Sequence, residues 1–412
     1  MAKIVIDPIS RIEGHLKIEA TVENGIVKEA KSSGMMYRGL ENILIGRDPR
    51  DAARIMQRIC GVCPTSHGLT AALALDEVYG VNGNITDNGR ILRNLVQGAN
   101  FVHSRILHFY QLAALDYVDV TAAADYSGSD PTPQKVRDFI ANGHLGPFVP
   151  RYEGDYRLTK KENLVALSHY VEALNMRRLA HEATAVFGGK MPHNMSLVAG
   201  GSTATPNIDK IASFIWKIEQ LIDFIDSRYL PDVLMVANRY KDYFGIGAGC
   251  KNFMSFGVFD LDSDPDLTKR KRYIPQGIVR GADLSLNRFD PNLVTEEVES
   301  SWYKDMGAQH PYDGRTEPDR DKPGAYSWVK SPRYNDEVME VGPLARNLVA
   351  YAAGVPEVKG AVDFVLKTLN APAAALFSTL GRTAGRAIDC LVMAQRNEKW
   401  LTDLANNIAT GD

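Results

Sequence analysis

The chain has 412 residues, of which 45% are hydrophobic, and 47 basic against 50 acidic residues give a formal net charge of −3. A chain of this length can bury a large core, whereas its near-neutral charge excludes the basic surface that nucleic-acid-binding proteins use. It contains no run of about twenty apolar residues that could span a bilayer, so we expect membrane contact only through partners.

The first predicted elements are β-strands. Residues 4–6 form a short apolar run near the N-terminus, without the pattern of a signal peptide. Apolar residues alternate over 16–22 and resume at Ile26 after Asn24-Gly25, which predicts a hairpin with a tight turn. We therefore expect residues 1–35 to be an N-terminal β-hairpin region.

Helical patterns dominate the next part of the chain. Apolar-rich helices are predicted over 90–119 and 163–187. A stripe of apolar residues with a 3.6-residue period predicts another helix over 211–225, which ends before Pro231. Such a stripe is normally a core face and not a cofactor site.

These patterns divide the chain into regions. Residues 90–240 are expected to form the central long helices, and 355–409 the C-terminal helices. Residues 245–335 are rich in Gly, Pro and Asp, and we expect a loop-rich insertion with short strands. We predict a single intertwined domain over 1–412. Its class is α+β, mainly helical, with long packed helices and a small N-terminal antiparallel sheet.

The cysteines supply the main chemical signal. Cys60 and Cys63 form a C-x-x-C pair followed by His67, whereas Cys250 and Cys390 stand alone. Thiolates bind soft or borderline metals, but a C-x-x-C pair is also found as half a zinc site, as a redox dithiol or as two unrelated buried cysteines. The flanks lack the βαβ pattern of a thioredoxin-like site, and no second pair lies at zinc-finger spacing. We therefore predict a metal centre that something outside this chain completes.

Around this pair, eight sequence blocks follow one another in a fixed order: D-P-I-S-R-I-E-G-H at 7–15, Y-R-G-L-E at 37–41, G-R-D-P-R-D-A at 46–52, R-I-C-G-V-C at 58–63, H-F-Y at 108–110, R-Y-I-P-Q-G at 272–277, E-V-G-P-L-A at 340–345 and F-S-T-L-G-R-T at 377–383. The resemblance of these blocks to the large subunit of nickel-iron hydrogenases extends over nearly the whole chain. It implies the hydrogenase large-subunit fold and reversible cleavage of H2 into protons and electrons at a nickel-iron centre whose iron carries carbon monoxide and cyanide.

The resemblance also implies a role for each matched residue. Cys60 would be a terminal nickel ligand, and Cys63 would bridge nickel and iron. Glu13 matches a glutamate that passes protons, and its Gly-flanked turn would let the carboxylate approach a buried site, where desolvation raises the pKa. His67 would donate a hydrogen bond to the bridging sulfur. Glu41 matches a carboxylate that helps to hold a magnesium ion.

Each of these residues also has a purely structural interpretation. Glu13 is an ordinary exposed residue near a strand in that case, and His67 a structural residue at a helix start. Glu41 is then a solvated helix residue or an ion-pair partner of Arg38. The sequence departs from many relatives at Ser104, where they carry aspartate, so tuning by a carboxylate there is not expected.

The family's second pair, in a motif of the form D-P-C-x-x-C-x-x-H, does not occur in the sequence. Either a separate polypeptide supplies it, or the chain is a truncated form that cannot hold the metals. Since Cys250 and Cys390 cannot hold an iron-sulfur cluster, we expect the clusters in a small subunit that takes the electrons. A non-catalytic scaffold subunit of the same fold is the alternative function, and a zinc protein a third. The chain is either cytoplasmic or exported with a signal-bearing small subunit.

Overall fold

The computed structural model describes residues 1–143, 154–281 and 283–411. Residues 144–153 of the predicted central helical region and Ala282 of the loop-rich region lie outside the described residues. The chain divides into two compact units, one formed by Met1–Pro49 with Phe289–Met339 and the other by Arg50–Arg288 with Glu340–Asp412. The single domain expected over 1–412 stays a prediction.

The described residues form eleven α-helices, and all but the first belong to the larger unit. In chain order they are α1 Leu40–Leu44, α2 Ala52–Met56, α3 Pro64–Val78, α4 Asp87–Leu107, α5 Pro131–Ala141, α6 Lys160–Gly188, α7 Ile208–Phe224, α8 Leu230–Arg239, α9 Pro343–Ala352, α10 Pro356–Leu369 and α11 Thr379–Thr410. None of the helices in this part of the chain is long and apolar enough to cross a membrane.

The β-strands are short, and all of them pair antiparallel. They are β1 Ala2–Ile6, β2 Leu16–Glu23, β3 Ile26–Gly34, β4 Leu197–Val198, β5 Gly201–Ser202, β6 Asn252–Ser255, β7 Val258–Asp260, β8 Arg272–Ile274, β9 Gly277–Arg280, β10 Leu286–Asn287, β11 Val294–Glu297 and β12 Ser331–Tyr334.

The smaller unit is built on the N-terminal sheet, in which β2 lies between β1 and β3. Asn24 and Gly25 both have positive φ angles, 51° and 76°, as a two-residue hairpin turn requires. The small N-terminal antiparallel sheet is therefore confirmed. Residues 4–6 lie in β1, at one edge of this sheet. The later stretch of this unit joins the sheet where the Trp328 N–H donates to the Gly34 carbonyl oxygen at 2.8 Å.

The larger unit is a helical core in which α4 packs against α6 and α11. Its centre is fully buried and apolar, with Leu95 and Ile106 of α4 and Phe214 of α7 at 0% exposure. The charged residue Asp389 of α11 lies in this core and accepts hydrogen bonds from Arg105 at 2.7 Å and from Arg346 at 3.0 Å. Burial opposes ionisation of Asp389, but the two guanidinium groups lower its pKa, so the carboxylate is held in its charged form.

Two of the predicted helices continue as wider π-helical turns. α4 ends at Leu107, and the segment His108–Ala113 follows it with π-helical hydrogen bonding. α7 ends at Phe224 and passes through a second such segment, Ile225–Tyr229, into α8. α7 thus ends before Pro231, as expected, and the helical path continues through the π-helical segment into α8. Pro231 lies in the first turn of α8, where proline is tolerated.

A buried ion pair fixes helix α3 against α4. Arg93 donates to both carboxylate oxygens of Asp76, at 2.7 and 3.0 Å, and the side chains are 5% and 1% exposed. Arg93 also donates to the carbonyl oxygen of Gly201 at 2.9 Å, and the Gly200 N–H donates to Asp76 at 2.7 Å. The pair thereby joins α3 and α4 to the β4–β5 hairpin.

We expect Asp76→Asn to lower the free energy of unfolding by about 3–5 kcal/mol, because it leaves the Arg93 guanidinium buried without a counter-charge. The control is Asp125→Asn, which removes an exposed ion pair with Lys160. This variant should cost much less, because exposed ion pairs contribute little to stability. Denaturant unfolding of both variants gives the comparison, and equal losses would show that the Asp76 pair is no more important than a surface pair.

Candidate metal site

The C-x-x-C pair lies at the junction of a short 3-10 segment and helix α3. Cys60 follows the segment Gln57–Ile59 in an extended conformation, and Cys63 is the N-cap residue of α3. Pro64 starts the helix, a position where its fixed φ and missing N–H suit the first turn. Cys60 is buried, and Cys63 is partly exposed. The prediction that the pair stands at a helix start therefore matches the observed geometry.

The backbone of the loop surrounds the Cys60 sulfur with hydrogen-bond donors. The Val62 N–H donates to Cys60 Sγ at 3.3 Å, and the Cys63 N–H donates to the same atom at 3.2 Å. Backbone N–H groups that converge on one atom form a concave site for negative charge. The loop is thereby shaped to stabilise a thiolate at Cys60, which is the form that binds a metal.

His67 lies one helical turn beyond Cys63. Its Nε2 atom is 3.7 Å from Cys63 Sγ, within hydrogen-bond range for sulfur. The structure thus brings together three of the predicted site residues, Cys60, Cys63 and His67, in one loop and the first turn of α3. A ring nitrogen at this distance can orient the sulfur and its lone pairs.

Helix α4 supports the loop with buried amide side chains that sequence reasoning missed. Asn100 donates to the Val62 carbonyl oxygen at 3.3 Å, and Gln97 donates to Ser66 Oγ at 2.8 Å. Both side chains are nearly fully buried, at 1% and 2% exposure. The available signal was their spacing of three residues within an apolar helix, which puts two polar groups on one buried face.

Glu13 and Glu41 belong to the smaller unit. Glu13 is exposed, so the burial expected from its Gly-flanked turn is not found in the described residues. Glu41 is an exposed residue in the first turn of α1. Its carboxylate lies 3.7 Å from Lys330 Nζ and accepts a hydrogen bond from the Thr316 hydroxyl. Lys330 is therefore an ion-pair partner of Glu41, and the magnesium role of this residue stays a prediction.

The other two cysteines have different environments. Cys250 is exposed, and Cys390 is fully buried in α11, where its sulfur lies 3.7 Å from the Val102 carbonyl oxygen. Burial raises the pKa of the Cys390 thiol, so it stays protonated. Among the residues that the structure describes, no group of three or more His, Cys, Asp or Glu could hold a metal ion. The two thiolates of the C-x-x-C pair therefore fit half of a four-coordinate metal shell.

A cavity of about 490 Å³ adjoins helix α3. Its wall begins at Ser66 and continues with Leu69 and Leu73 of α3, and Phe101 and Phe259 lie on the other sides. The lining is mostly apolar, with the ion-paired Arg270 and Arg272 at one edge. The space therefore lies one helical turn from the Cys pair and suits an apolar chain segment.

Comparison with known proteins assigns the chain. The family model described as nickel-dependent hydrogenase matches residues 38–412, and a model described as HoxL-like matches residues 3–33. The chain belongs to the nickel-dependent hydrogenase family. It is 42% identical to the large subunit of the periplasmic [NiFeSe] hydrogenase of Desulfomicrobium baculatum, over 98% of this chain and 74% of that protein. It is 36% identical to the hydrogenase-2 large chain of Escherichia coli K12, over 100% of this chain and 80% of that protein.

The solved structures agree with this assignment. The reduced Ni-Fe-Se hydrogenase from D. vulgaris Hildenborough superposes with a TM-score of 0.84 at 40% identity, covering 98% of this chain and 79% of that one. The mainly helical fold of a hydrogenase large subunit, with a small N-terminal antiparallel sheet, is thereby confirmed. The assignment as a hydrogenase large subunit is confirmed as well, and the scaffold alternative is not favoured.

Proposed function

We propose that this chain is the catalytic large subunit of a nickel-iron hydrogenase and that Cys60 and Cys63 ligate the metal centre. Membership of the family makes the enzyme an oxidoreductase that acts on H2. The observation that carries the assignment of the ligands is the thiolate loop at the start of α3, where two N–H groups face Cys60 Sγ and His67 lies beside Cys63 Sγ.

The donor set fits a nickel-iron centre in part. Thiolates are the ligands that soft and borderline metals prefer. Cys60 would hold nickel, and Cys63 would hold both nickel and iron. When bound, the centre, whose iron we propose to carry carbon monoxide and cyanide, supplies the Lewis acidity and the redox chemistry for reversible H2 cleavage. The chain itself holds the two sulfurs, and His67 orients that of Cys63.

Protons leave the buried site through carboxylates, and we assign Glu13 to this step. An exposed carboxylate exchanges protons rapidly with water, which suits the outer end of a relay. We also propose that Glu41 helps to bind a magnesium ion, for which a carboxylate is a suitable hard ligand. Binding of this ion would replace the contact that Glu41 makes with Lys330.

Electrons leave through a second subunit. The relatives are named as large subunits, which implies a small-subunit partner. We propose that this partner carries the iron-sulfur clusters, because Cys250 and Cys390 of this chain lie in different environments and cannot form a cluster set. The two thiolates that the metal shell still requires come, in this proposal, from residues other than those of 1–412, packed on α3 beside the cavity lined by Ser66 and Leu69.

The first prediction tests the ligand assignment. Cys63→Ser replaces a soft bridging ligand by a hard one and should abolish H2 oxidation together with nickel binding. The control is Cys250→Ser, which changes an exposed cysteine and should keep both. Nickel content and H2-dependent dye reduction of the purified complex are the measurements. Full activity of Cys63→Ser would contradict the assignment.

The second prediction concerns Glu13. Glu13→Gln keeps the shape of the side chain and removes its titratable group, so it should lose H/D exchange and turnover and keep both metals. Glu29→Gln changes an exposed glutamate of β3 in the same sheet and serves as the control. If Glu13→Gln loses nickel as well, Glu13 has a structural role and the proton assignment is wrong.

The third prediction concerns the missing thiolates. In the purified nickel-containing complex, crosslinking from α3 followed by mass spectrometry should recover a segment with a second C-x-x-C pair that does not belong to residues 1–412. Nickel bound to Cys250 or Cys390 would contradict the ligand set itself.

A further inference from the structure

Asn194 is fully buried in the turn between α6 and β4. Its side-chain amide donates to the Lys190 carbonyl oxygen at 2.8 Å, which closes the turn on itself. The turn is also fixed to the end of α6, because the Met195 N–H donates to the Gly188 carbonyl oxygen at 2.8 Å. Asn194 is therefore held in place by its own segment and does not depend on the cysteine loop for its position.

The other polar atoms of Asn194 contact both flanks of the cysteine pair. On the side before Cys60, Gln57 donates to the Asn194 backbone carbonyl at 2.9 Å, and Arg54 donates to the same oxygen at 3.2 Å. On the side after Cys63, the Thr65 hydroxyl donates to Asn194 Oδ1. A single residue from a distant part of the chain thus binds the loop three residues before one cysteine and two residues after the other.

The groups around these contacts are so closely packed that two neighbouring glycines have no room for a side chain. A Cβ atom at Gly188 would lie 2.4 Å from Asn194 Nδ2, and a Cβ atom at Gly68 would lie 2.8 Å from the Gln57 side chain. Both distances are too short for any real contact, so glycine is required at both positions if Asn194 and Gln57 keep their places. Gln57 and Thr65 are themselves at 0% exposure.

We propose that Asn194 is a positioning residue that sets the spacing of the Cys60 and Cys63 sulfurs for the metal centre, an inference that rests on the metal role proposed for these cysteines. Two sulfurs can share one metal only if their separation is fixed closely, and groups outside the ligand shell provide that precision. The loop between Gln57 and Thr65 has only a short 3-10 segment of its own. The Asn194 contacts fix its two ends, and Asn100 of α4 holds its middle at the Val62 carbonyl oxygen.

The test compares Asn194→Ala with Asn163→Ala in the purified hydrogenase complex. Asn163 is also buried, and its side chain accepts from the Asp119 N–H at 2.8 Å and donates to the Leu158 carbonyl oxygen at 3.0 Å. Both variants should lower the melting temperature. Only Asn194→Ala should accelerate the removal of nickel by a chelator, by about tenfold, as is typical when groups that orient metal ligands are lost. Its nickel EPR spectrum should shift.

A milder pair of variants covers the case in which Asn194→Ala fails to fold. Thr65→Val removes the hydroxyl that donates to Asn194, and Thr65→Ser retains it. Faster nickel loss in Thr65→Val with wild-type behaviour in Thr65→Ser supports the positioning role. Wild-type nickel loss and spectrum in Asn194→Ala, or in both Thr65 variants, would reduce Asn194 to an ordinary core residue. If Cys63→Ser keeps its nickel, the metal role of the cysteines fails first, so the two failures can be distinguished.

Discussion

The bidentate pair between Asp76 and Arg93 is the interaction on which the position of helix α3, which follows the cysteine loop, depends. It joins the last turn of α3 to α4, and the Gly200 N–H and the Gly201 carbonyl oxygen of the β4–β5 hairpin complete its hydrogen bonding. At the other end of α3, Gln97 of α4 holds the first turn, and Asn100 of α4 holds the preceding loop. Polar groups therefore fix α3 at both ends, and they determine where the cysteine loop lies on the helical core. The Asp76–Arg93 pair is fully hydrogen-bonded, and a buried polar network of this kind specifies a unique arrangement.

The cysteine loop carries groups that stabilise negative charge on its two sulfur atoms. Two backbone N–H groups face one sulfur, and an imidazole faces the other. Such a site stabilises thiolates and still leaves a metal with half of its shell unfilled. Under the proposed function, the large subunit provides half of the thiolate ligands of the metal centre at this loop, beside the apolar cavity at α3.

The sequence predicted what local rules decide. The Asn24-Gly25 turn specified the N-terminal hairpin, and the blocks around the cysteines pointed to the family. The contacts of Asn194 were not predictable, because its partners lie about 130 residues earlier in the chain and pairing over such distances leaves no local signal. The π-helical segment that carries the chain past the end of α7 into α8 was not predicted, because the apolar stripe stops at Ile225. The exposure of Glu13 could not be derived either, since a turn sequence does not say what covers it.

The two π-helical segments have a consequence for the evolution of the core. Each wider turn contains one residue more than a regular helical turn needs, and it displaces the following side chains around the helix axis. The rings of Phe109 and Tyr110, from one segment, lie 5.2 and 5.8 Å from the ring of Tyr229, from the other. The Tyr110 hydroxyl in turn donates to Asp232, which also binds His169. A single-residue insertion or deletion in either helix would rotate one ring away from the other. We therefore expect insertions and deletions in the loops of this subunit and not in these two helices.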